Sequence, residues 1–201
     1  AYGCAPGHDT EVADAEQAYV QADLKGVPSW VCIPPEFRTA EYIGADLAKA
    51  MEGVQWPVVQ LHKALYGHPD SGTYWEKHCD AHCQAVGFEP IGPEWPSCYS
   101  HERLQLYLVV YVDDFKLSGP KSRLKEGWEL LRGGLNLESP KPINGQSYLG
   151  CRNERFEVEL PGGGVATVRS YDMMDFFDSR ISLYEELALG TTLKKGCHSF
   201  H

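Results

Sequence analysis

The sequence is poor in features that would carry it to a membrane or hold it together outside a cell. No apolar run in its 201 residues approaches the roughly 20 that a membrane-spanning helix requires. The first ten residues, AYGCAPGHDT, have neither the basic start nor the apolar stretch of a secretory leader. They also lack an initiator Met, so the expectation is a piece of something longer. There is no paired cysteine framework. The seven cysteines, at 4, 32, 79, 83, 98, 151 and 197, are odd in number and widely spread, which argues for reduced thiols inside a cell. Positive charge is scarce as well: 18 Lys and Arg stand against 28 Asp and Glu, a net charge of −10. That balance is awkward for a nucleic-acid binder, whose affinity comes largely from phosphate contacts.

The deficit is uneven. Residues 1–114 carry 6 basic and 17 acidic side chains, whereas residues 115–155 carry 8 basic and 4 acidic. Hydrophobic and charged fractions of 43% and 23% are ordinary for a globular protein, and the length suits one domain or one and a half. Strand and helix patterns alternate without a regular βαβ cadence, which points to the α+β class. Residues 9–24 suggest a strand running through Asp14 into a turn or short helix. A strand is expected near Trp30–Ile33 and a helix from about Tyr42 to Met51, with a further strand or turn over Val58–Leu65. The loop Gly67-His68-Pro69-Asp70-Ser71-Gly72 places Asp70 or Ser71 to cap a helix that stops near Gly87. Cys98–His101 reads as a strand. KSRLKEGWELLR, residues 121–132, is an amphipathic helix with Leu124, Trp128 and Leu131 on one face. Residues 147–159 read as a hairpin, and a last helix spans about Tyr171 to Leu187.

Two clusters carry potential chemistry. His78-Cys79-Asp80-Ala81-His82-Cys83 has spacings a zinc site uses, but the same residues make an amphipathic helix burying Trp75, Cys79, Cys83 and Val86, and the helix is the favoured reading. The stronger signal is LQLYLVVYVDDFKLSG, residues 104–119. An apolar strand on a largely buried sheet leads to Asp113 and Asp114, where the chain turns back into a second strand. Adjacent carboxylates repel one another, and a cation between them removes that cost. Aspartate is also a common turn residue, so the pair alone decides nothing.

Tyr111-Val112-Asp113-Asp114 resembles the Tyr-x-Asp-Asp signature of reverse transcriptases. Asp14 lies in ADAEQAY, with an Ala four residues on and Tyr19 five residues on. That block is similar to the Asp-x-x-x-Ala-Phe/Tyr segment of copia-type LTR retrotransposon reverse transcriptases. Lys63-Ala64-Leu65-Tyr66-Gly67, followed by Trp75 and Gly87-Phe88, resembles a second block, and Ser147-Tyr148-Leu149-Gly150 a third. Between them one departure stands out. Many members carry Leu-Lys-Gln-Ala-Pro-Arg after the Gly, so Asp70 takes the place of the usual nucleotide-contacting Gln and Thr73 that of the Arg.

The resemblance covers roughly residues 9–187 and implies a polymerase palm, an antiparallel sheet backed by helices, with incomplete fingers and the start of a thumb. It implies an RNA-directed DNA polymerase that adds dNTPs to a primer 3′-hydroxyl. Such nucleotidyl transfer uses two divalent ions about 3.5–4 Å apart, here Mg²⁺ with Mn²⁺ as a substitute. The implied ligands are Asp14, Asp113 and Asp114. Tyr19 becomes the gate against ribonucleotides, with Ala15, Tyr111 and Asp70 completing the substrate site. Leu149 and Gly150 become the primer grip, and Lys141 a general acid for the departing pyrophosphate. The implied division is a palm strand over 1–18, a fingers portion over 19–62, palm over 63–160 and thumb from 161 to 201. Implied partners are a primed RNA or DNA template, dNTPs and the remaining retroelement polyprotein, integrase and ribonuclease H included, with no membrane. The implied location is cytoplasmic, in a retroelement particle, with the nucleus as the second compartment. The alternative is an inactive remnant that binds nucleic acid.

Overall fold

The structure, a computed structural model, describes residues 2–188. Cys197 and the end of the division assigned to 161–201 lie outside the described residues. In chain order the elements begin with β1 (His8–Asp14) and a single helical turn, α1 (Ala18–Gln21). β2 (Trp30–Cys32) and β3 (Val58–Gln60) pair as a separate ribbon, with α2 (Ala40–Ile43) and α3 (Ala45–Ala50) between them. α4 (Ser71–Ala85), β4 (Glu89–Pro90), β5 (Cys98–His101), β6 (Leu106–Tyr111) and β7 (Asp114–Pro120) follow. Then come α5 (Lys121–Arg132), β8 (Lys141–Pro142), β9 (Ser147–Tyr148), β10 (Cys151–Glu159), β11 (Val165–Asp172) and α6 (Met174–Leu187).

The main sheet has six strands in the order β4-β5-β6-β7-β1-β8, every neighbouring pair antiparallel. A three-stranded sheet, β11-β10-β9, is built from the later hairpins. Segregated helices and antiparallel sheets make this an α+β fold. Alternation along the strands assigns the two faces. Leu106, Leu108 and Val110 of β6 and Phe115 and Leu117 of β7 point to one face and are buried. α4 covers it with Trp75, Cys79 and Cys83, and α5 with Leu124, Trp128 and Leu131. Helix α5 comes close because Gly127 has no side chain: a Cβ there would sit 2.4 Å from Leu106 Cδ1 and 3.1 Å from Leu117 Cδ2. Trp128 Nε1 also donates to Glu11 on β1 at 2.7 Å.

Several expectations need adjusting. The sheet is not buried on both sides: Tyr111, on the face away from the helices, is 60% exposed. The helix expected over 42–51 is broken in two at Gly44, whose φ of 80° lies in the left-handed region that interrupts a helix. α6 starts at Met174, because Tyr171 and Asp172 are spent on β11, opposite Asn153 and Arg152. The hairpin expected over 147–159 is two: a tight one joining β9 to β10, and a long one joining β10 to β11. The long hairpin turns across the division placed at 160–161. At the start of α4 neither candidate caps with its side chain. Asp70 makes no such bond, and Ser71 Oγ instead donates to the Leu65 carbonyl at 2.7 Å and accepts from its N–H. In the His/Cys cluster Cys79 and Cys83 face the core and His82 Nε2–H donates to the Leu130 carbonyl at 3.1 Å, as the helix reading expects, but Val86 lies just past the helix end and is only half-buried.

Candidate active site

Strands β6 and β7 are joined by two residues, Val112 and Asp113, with Tyr111 opposite Asp114 in the register. Val112 has φ of 57°. A β-branched residue there is a backbone outlier, and such strain costs on the order of 1–3 kcal/mol and persists only where the surroundings impose it. Both turn carbonyls are held. Trp75 Nε1 donates to the Val112 carbonyl at 2.7 Å, and the Ala15 N–H donates to that of Asp113 at 2.7 Å. The residue after Asp14 thus pins the turn that bears Asp113. Val112→Gly is expected to stabilise the protein by about 1 kcal/mol, strain relief exceeding glycine's entropic cost. Chemical denaturation would measure this, and a loss of stability would mean that the turn is unstrained.

The register brings the early acid to the tandem acids. Asp14 is paired with Asp114 across β1 and β7, so their side chains share a face. That face is the one turned away from the helices. The closest carboxyl pair is therefore Asp14 with Asp114, across two strands, and Asp113 stands beside it on the turn. Burial first, then the charges of Asp14 and Asp113 and a hydrogen bond to Asp14, push the Asp114 carboxyl up from 3.8 to about 6. A raised carboxyl contributes stability that is complete below its ordinary value and lost as pH rises through the raised one. A displacement of that size corresponds to about 3 kcal/mol in a dry site. Asp114 is only half-buried and water screens it, leaving about 1 kcal/mol. Asp114→Asn is accordingly expected to melt higher than the parent at pH 8 in the absence of divalent ions, with the gap closing by pH 4. Equal melting temperatures at both pH values would show that the carboxyls do not interact.

A cavity of about 400 Å³ opens beside the turn, lined by Tyr19, Trp75, Glu76, Ser97, Tyr111 and Val112 among others. Tyr19 also packs on Tyr66, their ring centres 4.6 Å apart. Two of the expected substrate residues, Tyr19 and Tyr111, thus share one cavity. Ala15 is buried, and its contribution is the backbone bond to the turn. Asp70 is exposed before α4, does not line this cavity, and its carbonyl accepts from the Tyr74 N–H. Lys141 lies on the edge strand opposite Val12, two residues before Asp14, and pairs with Glu138 at 3.1 Å. Leu149 and Gly150 form the β9–β10 turn, with φ of 50° and 77°. Sequence reasoning assigned nothing to Trp75 beyond its place in a block and a helix core. A lone Trp at a mostly polar helix start was the signal available.

Hard carboxylate oxygens that repel one another fit a hard cation, and Mg²⁺ is usually held by only one or two protein carboxylates plus substrate phosphates. Among the described residues no three His, Cys, Asp or Glu side chains are gathered closely enough to hold a metal ion as they stand. Asp14 and Asp114 are thus a facing pair with Asp113 as a near neighbour, and a finished cage is not present. No family model matches the chain, and no curated protein matches it.

Proposed function

We propose that the chain is the palm, with parts of the fingers and thumb, of an RNA-directed DNA polymerase from a copia-like retroelement. The observation that carries this is the register placing Asp14 against Asp114, with Asp113 on the connecting turn. Two Mg²⁺ ions bound there would stabilise the attacking and leaving oxygens of nucleotidyl transfer. Asp14 and Asp114 would hold the ions from two strands, and Asp113 would complete the set from the turn. Tyr19, in the cavity wall, meets the sugar of the incoming nucleotide, where a ring disfavours a 2′-hydroxyl. The tight turn at Leu149-Gly150 bears on the primer end. Lys141, on the same sheet face as Asp14, is the candidate proton donor to pyrophosphate.

The test is extension of an oligo(dT) primer on poly(rA) in Mg²⁺, with the protein made at the length of its own reading frame. Extension by the parent and none by Asp113→Asn is expected; equal incorporation by both would remove the assigned roles. One observation favours the second reading, an inactive remnant that binds nucleic acid. Asp70 just before α4 and Thr73 in its first turn stand where, by the resemblance, a Gln and an Arg would meet the nucleotide, and an acid beside a triphosphate repels it. That reading expects salt-sensitive, Mg²⁺-independent binding and no extension.

A further inference from the structure

On the face of the main sheet away from the helices, a second cavity of about 380 Å³ lies between that sheet and the three-stranded one. Lys116 enters it from β7, Tyr148 from β9, and Arg169 and Tyr171 from β11. Tyr107 and Leu149 add apolar wall. The Lys116 ammonium sits over the Tyr148 ring, 5.0 Å from its centre, and 5.8 Å from that of Tyr171. The polar groups are incomplete. Both terminal nitrogens of the Arg169 guanidinium are buried without a hydrogen-bond partner, and so is the Tyr148 hydroxyl.

A guanidinium is always charged and only donates, so burying it unpaired is costly and wants an anion. Among the acids near the cavity Asp9 is already engaged, and Asp114 and Asp14 act on Tyr148 through their charge alone, with no hydrogen bond to its hydroxyl. Arg155, directly opposite Arg169 in the register, takes Asp9 at 3.7 Å and the His8 carbonyl at 3.4 Å. Two cations and a phenol donor therefore face one cavity, and no described residue gives Arg169 or Tyr148 an acceptor. The arginine fork matches a planar or tetrahedral oxyanion through two parallel bonds. The remaining wall is aromatic and aliphatic, and the volume falls in the range of small-molecule sites.

We propose that this cavity binds a small aromatic oxyanion, its charged head on Arg169 and Tyr148 and its ring against Tyr107, Tyr171 and Leu149. The cavity shares Tyr111 and Leu149 with the proposed substrate site and primer-end turn, but anion affinity is read without primer extension, so it stands or falls apart from the polymerase reading. Calorimetric titration with 2-naphthoate, 1-naphthyl phosphate and the neutral 2-naphthamide tests it and separates a carboxylate head from a phosphate one. At least one of the two anions is expected to bind about tenfold or more tightly than the amide. Arg169→Gln is expected to abolish that preference and Tyr148→Phe to weaken it several-fold. Because the parent guanidinium lacks a partner, Arg169→Gln is also expected to raise the melting temperature of the ligand-free protein. An amide binding as tightly as both anions, a preference that survives Arg169→Gln, or a lowered melting temperature in that variant would overturn the proposal.

Discussion

Asp14→Asn is expected to lower Mg²⁺-dependent primer extension by about a thousandfold or more while leaving the fold intact. A bound metal ion supplies several kcal/mol of charge stabilisation in such transfers, so losing a ligand that holds it is expected to cost about 4 kcal/mol, a factor of about a thousand in rate. Asp14 ends β1 in an exposed position, so its carboxylate is not part of the core. The amide keeps the shape and the backbone bond that the next residue makes to Asp113. Circular dichroism should match that of the parent, and the melting temperature should not fall, because losing the Asp14 charge relieves Asp114. Extension within a few-fold of the parent would take Asp14 out of the site, whatever the stability data showed.

The largest expected effect on stability is at Phe115, the residue after Asp114. Its ring points to the helix side of the sheet and is fully buried, within a core that includes Leu108, Leu117 and Trp128. Phe115→Ala removes that ring and leaves a cavity between packed elements, for about 3–5 kcal/mol. For a chain of this size the melting temperature should fall by roughly 10 °C. Tyr111→Ala is the contrast. Its side chain is mostly exposed on the opposite face, so stability should change little. A small effect at Phe115 would mean that the helices do not pack on this face as described.

Local patterns carried much of the architecture. The strand through Asp14, the helix Lys121–Arg132 and the hairpin around Asp113-Asp114 were legible because period and turn chemistry act over a few residues. Gly44 shows the opposite case. The segment around it has helical residues on both sides, but one glycine in the left-handed region divides it. The face-to-face placement of Asp14 and Asp114 was not readable from period at all. Register between strands a hundred residues apart is fixed by which faces the helices bury, and only likeness to a family's ordered blocks suggested it. The same limit hid the roles of Trp75 and Ala15, whose bonds to the turn depend on tertiary placement. It also hid the unpaired Arg169, which sequence shows only as one more basic residue in a strand.

The local acidity has a consequence for the proposed partner. The acidic first 114 residues repel a nucleic-acid backbone, while the basic stretch that begins with Lys116 follows directly on the Asp pair. Binding of a primed template should therefore fall steeply with salt if it uses that stretch.

The most direct measurement is titration of the protein with Mn²⁺, bound and free ion being separated by their electron paramagnetic resonance signals. The parent should bind Mn²⁺, Mg²⁺ should compete, and the double substitution Asp14→Asn with Asp114→Asn should lose the binding. Undiminished Mn²⁺ binding by the double variant, or none by the parent even with a primed template and dNTP present, would contradict a metal site at these carboxylates.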